Sequence, residues 1–272
     1  MIAGANALLR MKESTRPSAT RILVDPFAAR LAEDHWAVQA IRYARFALPP
    51  LWRAIDELQT AHCVRHRSLD ELVLRAVREG FRQLVIVGAG YDMRASRFAD
   101  SLASVRTYEL DLPGTGARKQ RLCASLDDAH GRVEYARVDL SSQSVLTALA
   151  TTSFDRSAPT CFVLEGLIHY LSPERLHALM AEIASGGGPR RVLLSYIRSE
   201  VYARAHTPLR WLVRALGEIP RLHFGPDELA QLAARHGFAR TQRWTFDEQL
   251  AAFAPQGRVR RVASTQDVAQ LD

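Results

Sequence analysis

Gln83-Leu84-Val85-Ile86-Val87-Gly88-Ala89-Gly90-Tyr91-Asp92 decides the fold. A short aliphatic run without polar alternation suits a strand buried on both faces of a parallel sheet, and the glycine that follows closes it. Four more runs follow: Arg106-Thr107-Tyr108-Glu109-Leu110, Val133-Glu134-Tyr135-Ala136-Arg137-Val138, Thr160-Cys161-Phe162-Val163-Leu164 and Arg191-Val192-Leu193-Leu194-Ser195-Tyr196. The chain between them is long enough for crossover helices. In 173–185, for example, Leu176, Leu179, Met180 and Ile183 recur at helical spacing. The alternation predicts an α/β protein built on a doubly wound, mostly parallel sheet.

Upstream, residues 1–80 read as helical, with Phe27, Trp36, Ile41, Phe46, Trp52 and Leu58 spread among polar side chains. Downstream, 197–224 leaves the strand-helix alternation and reads as an inserted helical cap carrying Tyr202, His206, Arg210, Trp211 and His223. A last helix is expected from Pro226 to His236, closed by Gly237, then an antiparallel pair from Ala239–Phe246 and Arg258–Ser264. We expect a single domain over 1–272, with an N-terminal helical lid (1–80), a cofactor-binding core (81–196), a substrate cap (197–224) and closing elements (225–272). The aromatics Trp36, Tyr43, Phe46, Trp52 and Trp211 lie in 1–60 and 197–224, so these segments are expected to fold over the site and build an apolar cavity.

With 272 residues, 47% hydrophobic and 24% charged, the chain has the make-up of a globular protein with a sizeable core. The excess of 36 basic over 29 acidic residues gives +7, nearly all of it arginine; Lys12 and Lys119 are the only lysines. These charges are scattered rather than striped, which argues against a nucleic-acid partner. No apolar run approaches the roughly 18 residues of a membrane span, and Met1-Ile2-Ala3-Gly4-Ala5-Asn6 lacks a secretion signal's basic start, so a cytoplasmic location and no membrane partner are expected. Cys63, Cys123 and Cys161 stand far apart without ligand spacing, which points to buried thiols and no metal.

Ligands of such sheets bind beyond the carboxyl ends of the strands. The first strand ends in Gly88-Ala89-Gly90-Tyr91-Asp92-Met93-Arg94, where a dinucleotide fingerprint would place its third glycine at Met93. That disfavours a nicotinamide oxidoreductase. Asp111 follows the second strand about twenty residues past the glycines, the distance at which an acid accepts from ribose hydroxyls. Asp139 and Leu140 follow the third strand, placed to accept from an adenine amino group and to pack on the base.

Arg65-His66-Arg67-Ser68-Leu69-Asp70, the glycine stretch 83–94, Tyr108-Glu109-Leu110-Asp111-Leu112-Pro113 with Lys119, and Glu165-Gly166-Leu167-Ile168-His169-Tyr170-Leu171 together resemble the leucine carboxyl methyltransferase family. Lys12-Glu13-Ser14 and Asp25-Pro26-Phe27-Ala28 resemble its bacterial branch, so the likeness covers most of 10–185. The resemblance implies a Rossmann-like methyltransferase fold that uses S-adenosylmethionine (SAM). In it Arg67 would grip the methionine carboxylate, Asp111 the ribose and Asp139-Leu140 the adenine, with Glu165 near the amino group or the ribose. Gly88, Ala89, Gly90, Asp92, Leu112 and Gly166 complete the expected cofactor set. Two residues depart from the family pattern: Met93, where threonine is usual, and Ser68, where an aromatic is common.

The family implies an O-methyltransferase acting on a carboxylate or hydroxyl of a small molecule or carrier-protein-bound natural product. His169 and Tyr170, beyond the fourth strand and so at the mouth of the site, are the candidate catalytic residues, His169 as a general base should the acceptor be a hydroxyl and Tyr170 to position the acceptor. A protein C-terminal carboxylate is a second acceptor class. The family's transfer-RNA branch carries a large extra domain that 272 residues cannot contain. The rival reading is a SAM-fold protein that binds its ligand without methylating, in a ring-closing or scaffolding role.

Overall fold

The computed structural model describes residues 2–32, 49–124, 133–200, 220–225, 227–255 and 266–272, and the side chains from residue 56 in the long helix that begins at 49. In chain order, α1 (Ile2–Ser14), a 3-10 turn (Ser18–Thr20), α2 (Ala28–Ala32) and α3 (Pro49–Arg78) precede the sheet. Then come β1 (Gln83–Val87), α4 (Arg94–Arg97), β2 (Arg106–Asp111), α5 (Pro113–Cys123), β3 (Val133–Arg137), α6 (Val145–Leu149) and β4 (Thr160–Leu164). A 3-10 turn (Ile168–Tyr170), α7 (Pro173–Ala184), β5 (Arg190–Ile197), α8 (Glu228–Arg235), β6 (Thr241–Trp244), α9 (Phe246–Phe253) and β7 (Gln266–Leu271) complete the described elements.

The described strands form one seven-stranded sheet in the order β3-β2-β1-β4-β5-β7-β6. β1 to β5 run parallel, and β7 is antiparallel to both β5 and β6. The chain reverses its direction of travel across the sheet at β1 and β4, which opens the crevice where ligands of doubly wound sheets bind. Alternate residues of β1 explain the two-sided burial. Val85 and Val87 enter one cluster with Leu110, Phe162 and α7's Leu179 and Met180. Leu84 and Ile86 enter another with Leu69, Val73 and Ala76 of α3. Each such aliphatic side chain, fully buried, contributes about 1.5–3 kcal/mol. Gln83, buried at the head of β1, is satisfied at both ends of its amide: it donates to Asp155 O (2.7 Å) and Thr160 Oγ1 (2.9 Å) and accepts from Asp155 N (2.9 Å).

The expected parallel strands all form, and the expected last helix is observed as Glu228–Arg235. The terminal antiparallel pair also forms, but its second member is Gln266–Leu271. The expected run Arg258–Ser264 lies outside the described residues. β7 escapes a hydropathy reading because Asp267 and Gln270 are buried in it. Asp267 accepts from Phe246 N (2.9 Å) and pairs with Arg198 (3.1 Å), and Gln270 accepts from Arg75 (2.6 Å), so neither is left unsatisfied. The three cysteines are free and buried. Most of the cap, 201–219, and of the lid's aromatic stretch, 33–48, lies outside the described residues, as does the side chain of Trp52.

Candidate active site

The turn after β1 is built by glycine. Gly88 has φ +68°, which disfavours any side chain, and a Cβ there would also crowd Leu167 Cδ1 at 3.0 Å. The N–H groups of Gly88 and Ala89 both donate to Leu110 O (2.8 and 3.0 Å), which fastens the turn to the end of β2. Gly90, at φ +52°, donates its N–H to Asp111 Oδ2, and Leu112 N–H donates to Asp111 Oδ1 at 2.6 Å. Burial raises the Asp111 carboxyl above its ordinary value, and these two backbone donors act the other way. Asp111 lines a narrow cleft with Ala89, Gly90, Glu109, Lys119 and Tyr135. Beneath it Lys119, fully buried, donates to Asp92 O and to Glu109 Oε2. Burial pushes Glu109 up to about 7 despite this partner, and its Oε1 has none.

Beyond β4, Glu165 is the acceptor in a closed ionic lattice. Its Oε1 accepts from Arg65 Nε (3.1 Å), and its Oε2 accepts from Arg94 Nη2 (2.6 Å) and His66 Nδ1 (2.9 Å). Burial alone would raise this carboxyl; His66, Arg94 and Arg65 hold it well below the usual carboxylate range. Arg94 has a side chain 0% exposed and also binds Asp70 (2.7 Å) and Asp92, so one guanidinium joins α3, the turn after β1 and the end of β4. Arg65 Nη2 donates to His62 Nδ1 (2.9 Å). From α1, Arg10 binds Asp25 (2.8 Å) and donates to Tyr91 O (2.6 Å), drawing the N-terminal helix onto the glycine turn.

Several expected residues take other places. Arg67 does not join this lattice. It pairs with Glu71 one turn along its own helix at 2.6 Å, with both side chains more than a third exposed. Helical phase explains the placement: Arg65 and His66 share the face of Leu69, Val73 and Ala76, whereas Arg67 continues the polar stripe of Glu71, Arg75 and Arg78. Met93 is fully buried among Ala7, Leu8 and Leu31, with its sulfur 3.9 Å from Cys123 Sγ, so it serves as packing under the turn. Ser68 is turned onto its own helix, donating to Val64 O at 2.9 Å.

Asp139 lies in a turn after β3, accepting from Ser141 N (2.9 Å) and Oγ (2.6 Å), and these bonds lower its carboxyl. Leu140 packs against the main core. Gly166 N–H donates to Ser195 Oγ at 2.8 Å. His169 and Tyr170 form the 3-10 turn beyond β4 with ring centroids 4.3 Å apart. The His169 ring is buried with Nδ1 unpartnered, and burial, then the Arg65 charge, lower it to about 3. Of the cap candidates, His206 and Arg210 lie outside the described residues, and His223 is half-buried. Among the described residues no group of three or more His, Cys, Asp or Glu is placed to hold a metal ion.

The residues that the sequence reading passed over are therefore Arg65, His66 and Arg94, with His62, Asp70 and Arg10 around them. The signal for Arg65 and His66 was their helical phase. Arg94 stands in the glycine stretch 83–94, but an arginine next to a glycine turn reads as solvated and is given no role.

A family model described as leucine carboxyl methyltransferase matches residues 3–184. A protein of Streptomyces coelicolor named as an S-adenosyl-L-methionine-dependent methyltransferase is 33% identical over 208 residues, covering 74% of this chain and 65% of its own length. One of Frankia alni with the same description is 33% identical over 196 residues, covering 70% and 63%. The chain thus spans just under two thirds of the length of these curated relatives. Among solved structures, an O-methyltransferase family protein from Burkholderia thailandensis superimposes with a TM-score of 0.53 at 13% identity, over 91% of this chain and 71% of that one. A geranyl diphosphate C-methyltransferase from Streptomyces coelicolor gives 0.51 at 14% identity, over 79% and 84%. At such identities the likeness is one of fold alone.

Proposed function

The chain belongs to the leucine carboxyl methyltransferase family, and from that premise we propose that it moves a methyl group from SAM to an acceptor oxygen, best a carboxylate of a small molecule or of a carrier-protein-bound intermediate. One observation carries the reading: a single bonded network joins the glycine turn after β1, the acid after β2 and Glu165 after β4.

The donor set fits an adenosine-bearing cation with an amino-acid tail. Gly88, at φ +68° and without a Cβ, lets a ligand come close to the backbone of the turn. Asp111 keeps acceptor capacity beyond its two backbone donors for ribose hydroxyls, and Asp139-Leu140 are assigned to the adenine because Val138 N–H donates to Asp111 O (2.9 Å) and brings the end of β3 to that of β2. Arg65, in place of Arg67, holds Glu165 and His62 through Nε and Nη2, which leaves Nη1 for a carboxylate. SAM supplies a methyl group on a sulfonium, open to direct displacement.

This chain's residues orient and desolvate, a contribution worth roughly 7–11 kcal/mol when the reactants are held in line. Neither His169 nor Glu165, both placed just beyond β4, is a base poised near neutrality. His169 is lowered to about 3 and Glu165 is held well below the carboxylate range, which favours an acceptor that arrives as an anion. His169 Nδ1 and the Tyr170 hydroxyl are the groups proposed to position it.

The test is incubation with methyl-labelled SAM and a panel of carboxylic acids, phenols and alcohols, read by mass spectrometry. Labelled methyl esters are expected. Labelled ethers alone would move the acceptor to a hydroxyl, and SAM binding without any product would favour the silent-binding reading.

A further inference from the structure

On the Arg67 side of α3, residues 18–27 and the segment around α4 enclose an open groove of about 590 Å³ that shares no lining residue with the cleft at Asp111. That is the size of a small-molecule site. Arg21, Arg67 and Arg97 bring three guanidiniums to its wall, and among the described residues no aspartate or glutamate lines it. Phe27 and Phe98 supply apolar surface, and so does Val24, whose side chain is 48% exposed. An exposed aliphatic side chain beside three cations matches a ligand with an apolar body and an anionic head.

The arginines differ in how firmly they are held. Arg97 is fixed, bonded to Asp70 and to His66 Nε2 (2.8 Å). Among the described residues Arg67 is engaged only by Glu71, in a pair more than a third exposed on both sides, which solvent screens and a better-placed anion can displace. Arg21 gives Nη1 to Ser14 O at 3.1 Å and keeps the rest of its fork. We infer that this groove binds a small organic anion, its apolar body against Val24, Phe27 and Phe98 and its carboxylate or phosphate head between Arg21 and Arg67. The site is separate from the cofactor cleft and does not depend on the methyl-transfer reading.

Calorimetric titration of the full chain with octanoate, octyl phosphate, octanamide and inorganic phosphate tests it. Octanoate or octyl phosphate is expected to bind at least about tenfold more tightly than octanamide and inorganic phosphate, because only these two offer both features; the stronger of the two identifies the head group. Arg21→Ala and Arg67→Ala should each weaken that binding about tenfold, by loss of a charge-assisted bond, while SAM titrates as in the unmodified protein. Binding that persists in both variants places the anion elsewhere, at the acceptor site for instance, and overturns the inference. So does equal binding of octanamide or of inorganic phosphate, or no heat below about 10 mM. Failure of the unmodified protein to bind SAM overturns the cofactor reading instead, and folding of the variants is then read from circular dichroism.

Discussion

Arg97 donates to His66 Nε2 at 2.8 Å. An arginine has no acceptor, so the ring nitrogen facing it carries the lone pair, and the imidazole proton sits on Nδ1, 2.9 Å from Glu165 Oε2. Arg94 Nη2 stands 3.0 Å from the same Nδ1 but directs its hydrogens to Glu165 and the His66 carbonyl. The tautomer is thus set from the groove side of α3 and read on the site side. Burial first, then Arg94, keeps this ring neutral, with Glu165 acting the other way.

Cofactor affinity should separate the two arginines of α3. Asp111→Ala leaves ribose hydroxyls and the Gly90 and Leu112 N–H groups without their acceptor, at about 1–3 kcal/mol for each group left unpaired. We expect SAM affinity to fall at least about tenfold there and in Arg65→Ala, and to stay unchanged in Arg67→Ala. Calorimetry decides; loss in Arg67→Ala with retention in Arg65→Ala would restore the assignment suggested by the family motif.

Arg94→Met should cost about 3–5 kcal/mol of stability, because it strands Asp70, Asp92 and Glu165 in a buried cluster without their shared cation. Urea unfolding measures it. A change under about 1 kcal/mol would mean that water enters the cluster and that the lattice does not bind the three segments together.

Gly88→Ala meets both a left-handed backbone and Leu167 Cδ1 at 3.0 Å. The expected loss is about 1–3 kcal/mol, seen as a lower Tm together with weaker SAM binding, since the turn must shift to admit the methyl group. An unchanged Tm would show that Leu167 yields and that the turn is not held as described.

Stability should decline as pH falls from 6.5 toward 5. His62, His66 and His169 all titrate below 6.5 in the folded chain, so the unfolded chain takes up protons that the folded one refuses. His169, lowered to about 3, removes up to about 1.4 kcal/mol per pH unit through that window, and His62 and His66 act in the same direction. Glu109 has the opposite sign. Raised from 4.5 to about 7, it binds its proton first in the folded state and adds stability as pH drops through that interval. His169→Gln should therefore flatten the profile and Glu109→Gln steepen it. Urea melts at about pH 7, 6 and 5 test this, and identical slopes in all three proteins would contradict it.

The parallel half of the sheet was legible because β1 and β4 are buried at every position and hence read as unbroken apolar runs. The strand-end acid Asp111 was legible from the same layout, since a strand's end places its next residue at the crevice, whereas Glu165 was carried by the resemblance to the family motif. β7 was not, because Asp267 and Gln270 are buried with partners more than twenty residues away or on other elements, and hydropathy cannot anticipate a distant donor. The choice between Arg65 and Arg67 was open to a helical-phase argument, and the motif's paired arginines masked it. Arg94 could be placed only by a fold that brings α3, the glycine turn and β4 to one point.

β7 comes after β6 in the chain yet lies between β5 and β6 in the sheet. Synthesis proceeds from the N-terminus, so β6 leaves the ribosome before the strand it must hydrogen-bond to exists. Until residues 266–271 emerge, β5 presents a bare edge of unpaired N–H and C=O groups, and such an edge recruits whatever strand is nearest. The nascent chain thus passes through an interval in which its half-built sheet is open to a foreign strand, and the pair Val192↔Leu271 to Ile197↔Gln266 is the seal that ends it.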